Sequence, residues 1–292
     1  MSVPELKLSA TVGDALRVLA AREPLESLEA RALDSTQRQA LTGQLASADW
    51  WAFVVELGRV WSNRDHAIVR GVPIVGDGAT TLLLALAFDA AFKAYRRDKI
   101  VKHFRMSPWT TELSQTMREG HFHTDLSTAI EPPCVTLIHC RKPDPTPGRG
   151  VIRVAPLRQL LAELRQRGAD EALRFMLSDT VGMVDERAQA SWSGIMASES
   201  SVRFHPETLR AAERRGARFA DALERQLEVI HDAAMAASEP IELGLGDALF
   251  VSNVRALHYR GACTVQYLEF PRSFEAREIH ILHLRDEPTW PE

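Results

Sequence analysis

Several features that would assign a class at once are missing from these 292 residues. No apolar run approaches the roughly 18 residues of a membrane span, and the best candidate, residues 82–88, is followed by charged side chains. The three cysteines, Cys134, Cys140 and Cys263, are odd in number and have no CxxC spacing, so they indicate neither a disulfide framework nor a zinc knuckle. The first residues lack the basic and apolar regions of a signal peptide. We therefore expect a protein of the reducing cytoplasm.

The charge balance also excludes two classes of partner. The formal net charge is −4, which gives no basic footprint for nucleic acid or for an anionic membrane. Hydrophobic residues make up 45% of the chain and charged residues 25%, as in an ordinary globular protein. No repeat or linker divides the chain, so we predict one domain over residues 1–292, with a helical part at about 1–100 and a strand-rich part at about 101–292.

The spacing of apolar residues changes along the chain. Helical periodicity dominates the first hundred residues and predicts a helix over 80–97, and a second helical stretch covers 207–237. Strand patterns cover 134–140, 248–252 and 278–284. Strands interrupted by one helical insertion predict a mainly β fold with α-helices, a β-sandwich or barrel with helices outside.

The most informative short pattern is His123-Thr124-Asp125. A histidine and a carboxylate two positions apart on a strand point to the same side, because strand side chains alternate with a period of two. Both can then bind one metal ion. A second histidine from elsewhere would complete the 2-His-1-carboxylate arrangement, which holds Fe(II) and leaves coordination positions open. Alone, the pattern is weak, since His-x-Asp often occurs by chance.

His258 lies in a segment that supplies the second histidine. Residues 246–260 contain a Gly-Asp turn, an apolar strand, an Asn-x-Arg turn and then this histidine. The segment resembles, almost position for position, the distal-histidine strand of the Fe(II)/2-oxoglutarate dioxygenases of the taurine dioxygenase and clavaminate synthase-like group. The first motif, Phe-His-Thr-Asp-Leu-Ser, also resembles this family, and both motifs stand in the family's order. The resemblance extends from about residue 68 to residue 288.

The resemblance implies a fold, a set of ligands and a reaction. The fold would be a double-stranded β-helix (jelly-roll) core flanked by helices, with a helical insertion. His123, Asp125 and His258 would be catalytic and would hold Fe(II), with 2-oxoglutarate as cosubstrate and O2 as oxidant. Hydroxylation of an unactivated C–H would yield succinate and CO2. Halogenating relatives have a small residue in place of Asp125, so halogenation is not expected, whereas desaturation and cyclisation stay open.

An arginine is the third element that the resemblance implies. In the family a buried arginine holds the distal carboxylate of 2-oxoglutarate, and a guanidinium suits this role because it stays charged and grips a carboxylate through two parallel bonds. The sequence offers Arg277, which opens a predicted strand, and Arg272, in a Pro-Arg-Ser loop. Arg277 is preferred, although Arg272 lies closer to the usual distance from the distal histidine.

Two departures from the family pattern concern ligand contacts. A threonine that often supports the 2-oxoglutarate carboxylate is absent here, where residues 147–151 carry no hydroxyl. The second arginine of relatives with acidic substrates is replaced by His280-Ile281. His280, and Arg105 upstream of the metal motif, are therefore the candidate substrate-binding residues. The prime substrate is expected to be a small polar metabolite, an amino acid or a natural-product intermediate, and the sequence does not predict the oligomeric state.

Two other classes of function stay open at this point. One is a cupin-type metalloenzyme that does not use 2-oxoglutarate. His121 could serve as a ligand there, but no glutamate follows at a suitable spacing. The other is a non-catalytic binding protein on the same scaffold, in which the metal triad is a remnant.

Overall fold

The computed structural model describes residues 5–185, 189–288 and 290. The first four residues of the N-terminal stretch, which shows no signal-peptide pattern, lie outside the described residues. The α-helices of the described residues are α1 (Ala10–Arg22), α2 (Leu25–Leu33), α3 (Ser35–Leu45), α4 (Ala48–Arg64), α5 (Ala79–Ala85), α6 (Leu157–Gln166), α7 (Asp170–Leu177), α8 (Pro206–Arg214) and α9 (Leu223–Ala236).

Most of the β-strands of the described residues follow residue 100, and three precede it. They are β1 (Glu5–Lys7), β2 (His66–Arg70), β3 (Phe92–Lys93), β4 (Lys102–Arg105), β5 (Val135–Lys142), β6 (Ile152–Pro156), β7 (Thr180–Val184), β8 (Ser191–Ile195), β9 (Glu239–Ile241), β10 (Ala248–Ser252), β11 (Ala256–Arg260), β12 (Val265–Glu269), β13 (Ser273–Ala276) and β14 (Glu278–Leu284). The strand predicted over 278–284 is confirmed with the same bounds.

The main sheet has the strand order β1-β2-β10-β5-β14-β3, and β4 also pairs with β14. Alternate residues of its strands face opposite sides. Leu137, Phe250 and Leu282 face the N-terminal helices and join their apolar core. Their neighbours Ile138 and Leu249 face the other way. The N-terminal helices thus cover one face of the sheet and leave the other face for a second layer.

A smaller sheet, with the order β11-β6-β9, lies over that second face. Its Ile152 and Ile241 share one buried apolar cluster with Ile138 and Ile279 of the main sheet. Burial of such side chains between two sheets is worth about 25 cal/mol per Å² of apolar surface removed from water. The core of the strand-rich part therefore lies between the two sheets, next to the ends of β5 and β14.

Two predicted helices were too long. The stretch 207–237 contains α8 and α9, which are separated at Gly216, whose φ of +94° belongs to the left-handed region. The stretch 80–97 contains only α5 and a 3-10 turn, Leu86–Phe88, and the chain then takes a left-handed conformation at Asp89, with φ of 40°. Here β3 follows and pairs with β14, because edge pairing with the main sheet outweighs helical propensity.

The insertion between β6 and β9 builds its own apolar cluster. It holds α6 to α9 and the β7–β8 hairpin, which the sequence analysis did not predict. Buried side chains of these helices pack with Phe122 and Leu257, neighbours of the two predicted histidine ligands. The insertion thus supports the metal motif from one side. In the part of the chain that the structure describes, no helix combines the length and the apolar character needed to cross a membrane.

Candidate metal centre

His123 and His258 are held side by side by their main chains. The His123 N–H donates to the carbonyl of His258, and the His258 N–H donates to the carbonyl of His123, each at 3.0 Å. Such reciprocal pairing fixes two residues directly opposite each other, as in an antiparallel ladder. The two imidazole ring centroids lie 4.3 Å apart. The backbone pairing therefore joins the two motifs, which are far apart in sequence, at one point.

Asp125 completes the group. Its Oδ1 lies 3.6 Å from His123 Nε2, and its Oδ2 lies 3.4 Å from His258 Nε2. One ligand atom from each of the three residues lies within 4.8 Å of the others. His123 Nδ1 lies 2.7 Å from the His121 carbonyl, and an N–H donated there leaves Nε2 free to bind a metal. Two imidazoles and one carboxylate form the donor set of a non-haem iron site.

Asn253 fixes the main chain of Asp125. The Asp125 N–H donates to Asn253 Oδ1 at 2.6 Å, and Asn253 Nδ2 donates to the carbonyls of Asp125 and Pro133 at 3.1 and 2.9 Å. The arginine of the same Asn-x-Arg turn, Arg255, pairs with Asp65 at 2.6 Å. The turn before His258 thus positions the carboxylate that lies beside this histidine, which gives the motif a structural explanation.

Two further side chains contact the carboxylate itself. Thr136 Oγ1 donates to Asp125 Oδ2 at 2.7 Å, and His283 Nε2 lies 3.2 Å from the same oxygen. Burial would raise the pKa of Asp125, but the neighbouring His258 and the hydrogen bonds from the surrounding histidines hold that pKa well below its usual value. Burial lowers the pKa of His258. An ionised carboxylate and a neutral imidazole are the forms that bind metals.

Arg277 is buried in the wall of the same cavity. It directly precedes β14, is only 2% exposed, and shares the cavity with the three candidate ligands. Its Nη1 atom has no hydrogen-bond partner, and no carboxylate of the described residues pairs with the guanidinium. Gly150, with φ of +63°, makes room for it, because a Cβ there would lie 3.1 Å from Arg277 Cδ. A buried, unpaired guanidinium is costly unless an anion binds it.

The other predicted ligand contacts lie elsewhere. Arg272 is exposed and faces Glu269 at 3.6 Å, so it does not reach the cavity. Arg105 is also exposed, and its guanidinium lies over the Phe274 ring. His280 is buried on the opposite face of β14, where its Nδ1 lies 3.2 Å from Thr81 Oγ1. His280 does not line the cavity, because β14 turns its even-numbered side chains toward the N-terminal helices. Arg105 does not line it either, because it pairs with Glu278 and faces the same side as the even-numbered residues of β14.

His121 does not belong to the ligand group. Its Nε2 lies 3.2 Å from Glu207 and 3.2 Å from Arg210, on the side of the insertion. The hydrogen bond from His121 and the pairing with Arg210 lower the pKa of Glu207 to about 2, although burial alone would raise that pKa. The alternative His-x-His metal site therefore finds no support in the geometry.

An outer cavity adjoins the candidate ligands. It shares Ser114, His123, Asp125 and Arg260 with the inner cavity. Carboxylates and hydroxyls of the insertion and of the preceding loop line its outer part, namely Glu112, Asp185, Glu207, Ser127, Thr128 and Thr208. His205 projects there beside His123, with ring centroids 5.0 Å apart, and its Nδ1 has no hydrogen-bond partner. Burial lowers the pKa of His205 to about 3, so this imidazole is neutral.

Four residues of the site were missed by the sequence analysis. His283 could have been found, because it lies on the same face of β14 as Ile279 and Ile281, which follow Arg277 with a period of two. Thr136 and Lys102 gave no comparable signal, since their nearness to the ligands depends on which strands pair. His205 comes to the site through the folding of the insertion.

The family is established by comparison of the sequence with protein-family models. The chain belongs to the family described as taurine catabolism dioxygenase TauD, TfdA, whose model matches residues 43–267. The predicted resemblance is therefore confirmed. No curated protein matches the chain by sequence.

Solved structures with the same fold include two oxygenases. Asparagine oxygenase in complex with Fe(II), 2S,3S-3-hydroxyasparagine and succinate is 14% identical, with a TM-score of 0.72, and the match covers 97% of this chain and 94% of that one. The non-haem iron oxygenase OrfP with Fe, succinate and (3S)-hydroxy-L-Arg is 14% identical, with a TM-score of 0.65 and coverages of 97% and 94%. OrfP with Fe and alpha-ketoglutaric acid is 15% identical, with a TM-score of 0.65 and coverages of 96% and 94%. At these identities the likeness shows a shared fold.

Proposed function

We propose that the protein is a non-haem Fe(II) and 2-oxoglutarate-dependent oxygenase that hydroxylates an unactivated C–H of an amino acid or a closely related small metabolite. The observation that carries the proposal is the pairing of two features in one cavity. His123, Asp125 and His258 converge there, and the buried Arg277 has no anionic partner among the described residues. The three ligands form a site for a metal cation, and Arg277 forms a site for an anion in the same cavity. A metal ion and a dicarboxylate bound together would occupy both sites.

The three ligands fit iron by their chemistry and their support. Two neutral imidazoles and one carboxylate leave the remaining coordination positions to small molecules. Asn253, Thr136 and His283 hold Asp125 in place before any metal arrives. Outer contacts of this kind orient a ligand and tune its affinity for the metal.

Arg277 would hold the distal carboxylate of 2-oxoglutarate. The inner cavity, of about 140 Å³, joins this guanidinium to the ligands, and Ile138, Ile152, Ile279 and Ile281 line it. Apolar walls exclude water and strengthen the pairing of a guanidinium with a carboxylate. Gly150 leaves the space that Arg277 occupies, and with no hydroxyl at residues 147–151 the guanidinium would hold the distal carboxylate alone.

Bound at this site, Fe(II) supplies the chemistry of the family: 2-oxoglutarate, O2 and R–H become succinate, CO2 and R–OH. The residues of the chain bind and orient. Thr136 and His283 keep the Asp125 carboxylate directed at the metal position. The apolar side chains between Arg277 and the ligands exclude water from the cosubstrate. Desaturation or cyclisation would need a different placement of the substrate, and the two relatives with bound hydroxylated amino acids favour hydroxylation.

The polar outer cavity supports an amino acid as the prime substrate. It adjoins the ligands, and it offers carboxylates and hydroxyls to a zwitterion. The bound products named in the two structural relatives, hydroxyasparagine and hydroxyarginine, belong to this class.

We also propose a fold type, a domain organisation and a cellular compartment for the protein. The two facing sheets would form a double-stranded β-helix (jelly-roll) core, and residues 1–292 would act as one domain. The protein would work in the cytoplasm, in line with its three free cysteines. Its partners would be small molecules and O2.

Succinate release tests the function. The protein is loaded with Fe(II) under anaerobic conditions, then incubated with 2-oxoglutarate, O2 and each of the standard L-amino acids with their common polar derivatives. We expect one or a few members of the panel to raise succinate release well above the uncoupled rate and to gain one oxygen atom by mass spectrometry.

The alternatives give different outcomes. Metal binding without any stimulated succinate release would favour a cupin-type enzyme that does not use 2-oxoglutarate. An intact fold that binds no Fe(II) would favour a non-catalytic binding protein. Either result would refute the proposed function.

A further inference from the structure

Lys102 is a cation in the wall of the inner cavity with no described anionic partner. It lies on β4 and lines the cavity together with the three candidate ligands and Arg277. Its ammonium makes no hydrogen bond or ion pair with the described residues, and it lies over the Tyr95 ring, 5.1 Å from the ring centroid. Burial lowers the pKa of Lys102, and the charge of Asp125 opposes this effect. A partly desolvated ammonium gains most from a bound anion.

The strand register separates Lys102 from Arg277. Lys102 pairs with Ile281, whereas Arg277 directly precedes β14. Four residues of strand span roughly 13 Å, so the two cations lie toward opposite ends of the cavity wall. Lys102 pairs with Ile281, which lies two positions before His283 on the same face of β14, and His283 contacts Asp125. The register therefore places Lys102 toward the metal end. A dicarboxylate that reaches from the metal position to Arg277 would leave the ammonium of Lys102 for a second anion.

The distribution of charge in the two cavities indicates how that second anion arrives. The inner cavity holds Lys102 and Arg277, whereas the outer cavity is lined by the carboxylates Glu112, Asp185 and Glu207, of which Glu207 pairs with Arg210 and His121. Arg260 lies where the cavities meet, and its guanidinium donates to the main-chain carbonyls of Leu113 and Arg118. The two cavities meet beside the candidate ligands. A zwitterion that spans the junction would therefore direct its negative end inward and its positive end outward.

We propose that Lys102 binds the α-carboxylate of the amino acid that is oxidised at the metal, and so selects for substrates with an anionic group at that end. This inference rests on the proposed function. Lys102 would be a specificity-determining residue with no part in binding the metal or 2-oxoglutarate.

Steady-state kinetics of three variants test the inference, with the amino acid that is most active in the succinate assay. Lys102→Met should raise the KM for that amino acid about 10-fold to 100-fold, the range expected for a lost charge-assisted hydrogen bond, and leave the KM for 2-oxoglutarate within about 3-fold. Lys102→Arg should restore most of the affinity. Lys142→Met is the matched control, because Lys142 is a strand lysine that pairs with Glu275 at 2.9 Å outside both cavities; it should change neither KM.

A change of substrate gives a sharper readout than a change of residue. The wild-type protein should prefer the free amino acid over its α-carboxamide, and Lys102→Met should lose most of this preference. A preference that survives in Lys102→Met would overturn the inference, as would a shift in the KM for 2-oxoglutarate alone.

Protection from chemical labelling identifies the covering ligand without turnover. The Fe(II)-loaded protein is treated anaerobically with an acetylating reagent, and modification of Lys102 and Lys142 is measured by peptide mass spectrometry. We expect 2-oxoglutarate alone to leave Lys102 labelling unchanged and the added amino acid to reduce it severalfold, with Lys142 unaffected. Protection by 2-oxoglutarate alone, or by no member of the panel, would refute the assignment. Stimulated succinate release with an unchanged KM in Lys102→Met would refute it and leave the proposed function intact.

Discussion

Histidines cluster on both faces of the main sheet, and among the described residues only one of these clusters has the geometry of a metal site. The inner cluster, between the two sheets, consists of His123, Asp125, His258 and His283. The outer cluster, under the N-terminal helices, consists of the buried Thr81, His139 and His280, and the exposed His103 lies at its edge. In the inner cluster the histidines surround one carboxylate, and three ligand atoms lie within 4.8 Å of one another. In the outer cluster His139 and His280 share Thr81 Oγ1, at 2.8 and 3.2 Å from their Nδ1 atoms.

The surroundings explain the difference. Burial lowers the pKa of His139 to about 3 and that of His280 to about 4, so both are neutral. His280 Nε2 lies 3.9 Å from Asp77 Oδ1, which belongs to an exposed side chain. The outer cluster is therefore a hydrogen-bonded part of the core. The two faces differ because the inner one places a single carboxylate among three histidines. On the outer face the carboxylate of Glu278 pairs with the exposed His103 at 3.2 Å, and the buried His139 and His280 share a hydroxyl instead.

The largest difference between the inner and outer clusters is expected when the carboxylate of Asp125 is removed. Asp125→Ala should abolish Fe(II) binding and reduce amino-acid-stimulated succinate release to background, because two histidines without the carboxylate lose the anionic ligand. Anaerobic calorimetry with Fe(II) measures the binding, and far-UV circular dichroism should show an unchanged fold. His280→Ala is the matched change in the outer cluster. It should bind one equivalent of iron and lose about 1–3 kcal/mol of stability, since it empties a buried position. Iron binding of wild-type strength by Asp125→Ala would refute the metal centre.

A smaller contrast is expected between the two arginines. Arg277→Met should weaken 2-oxoglutarate binding about 100-fold, through the loss of hydrogen bonds to a charged carboxylate worth about 3 kcal/mol. Arg272→Met should have no effect, since Arg272 is exposed beside Glu269. Titration of the Fe(II)-loaded protein with 2-oxoglutarate measures both affinities.

The ligand-free protein provides the control for this pair. Replacing an unpaired buried charge by an apolar side chain of similar size should leave the Tm of Arg277→Met equal to or above that of the wild type. A large fall in Tm would mean that Arg277 has a structural partner, and the proposed 2-oxoglutarate contact would lose its main support.

The smallest contrast concerns the residues behind Asp125. Thr136→Val and His283→Leu should each weaken Fe(II) binding about 10-fold to 100-fold, the usual cost of losing an outer contact to a metal ligand. Thr81→Val, the matched change in the outer cluster, should leave the affinity for iron unchanged. Metal titrations of the three variants distinguish these outcomes. Equal iron affinity in Thr136→Val and in the wild type would indicate that the main-chain contacts of Asn253 suffice to hold the carboxylate.

Local sequence patterns were enough to indicate the family, the three candidate ligands and the strand β14. These follow from local patterns: His123 and Asp125 lie two positions apart, and His258 lies within a continuous motif. Apolar periodicity also predicted β14 with its observed bounds. Apolar periodicity failed for residues 80–97 and 207–237, where the pattern continues past the end of the helix. The first stretch ends at a left-handed residue, Asp89, before β3 pairs with β14, and the second is interrupted at the left-handed Gly216.

The residues that surround those ligands depend on how distant strands pair. Lys102 and Thr136 reach the cavity because β4 and β5 pair with β14 in one particular register, and a shift by one residue would turn them to the opposite face. The same register places Arg277 and His283 inside and His280 outside. Pairing between strands distant in sequence depends on the whole packed core, so no local pattern encodes it, and the composition of the cavity wall follows from the fold.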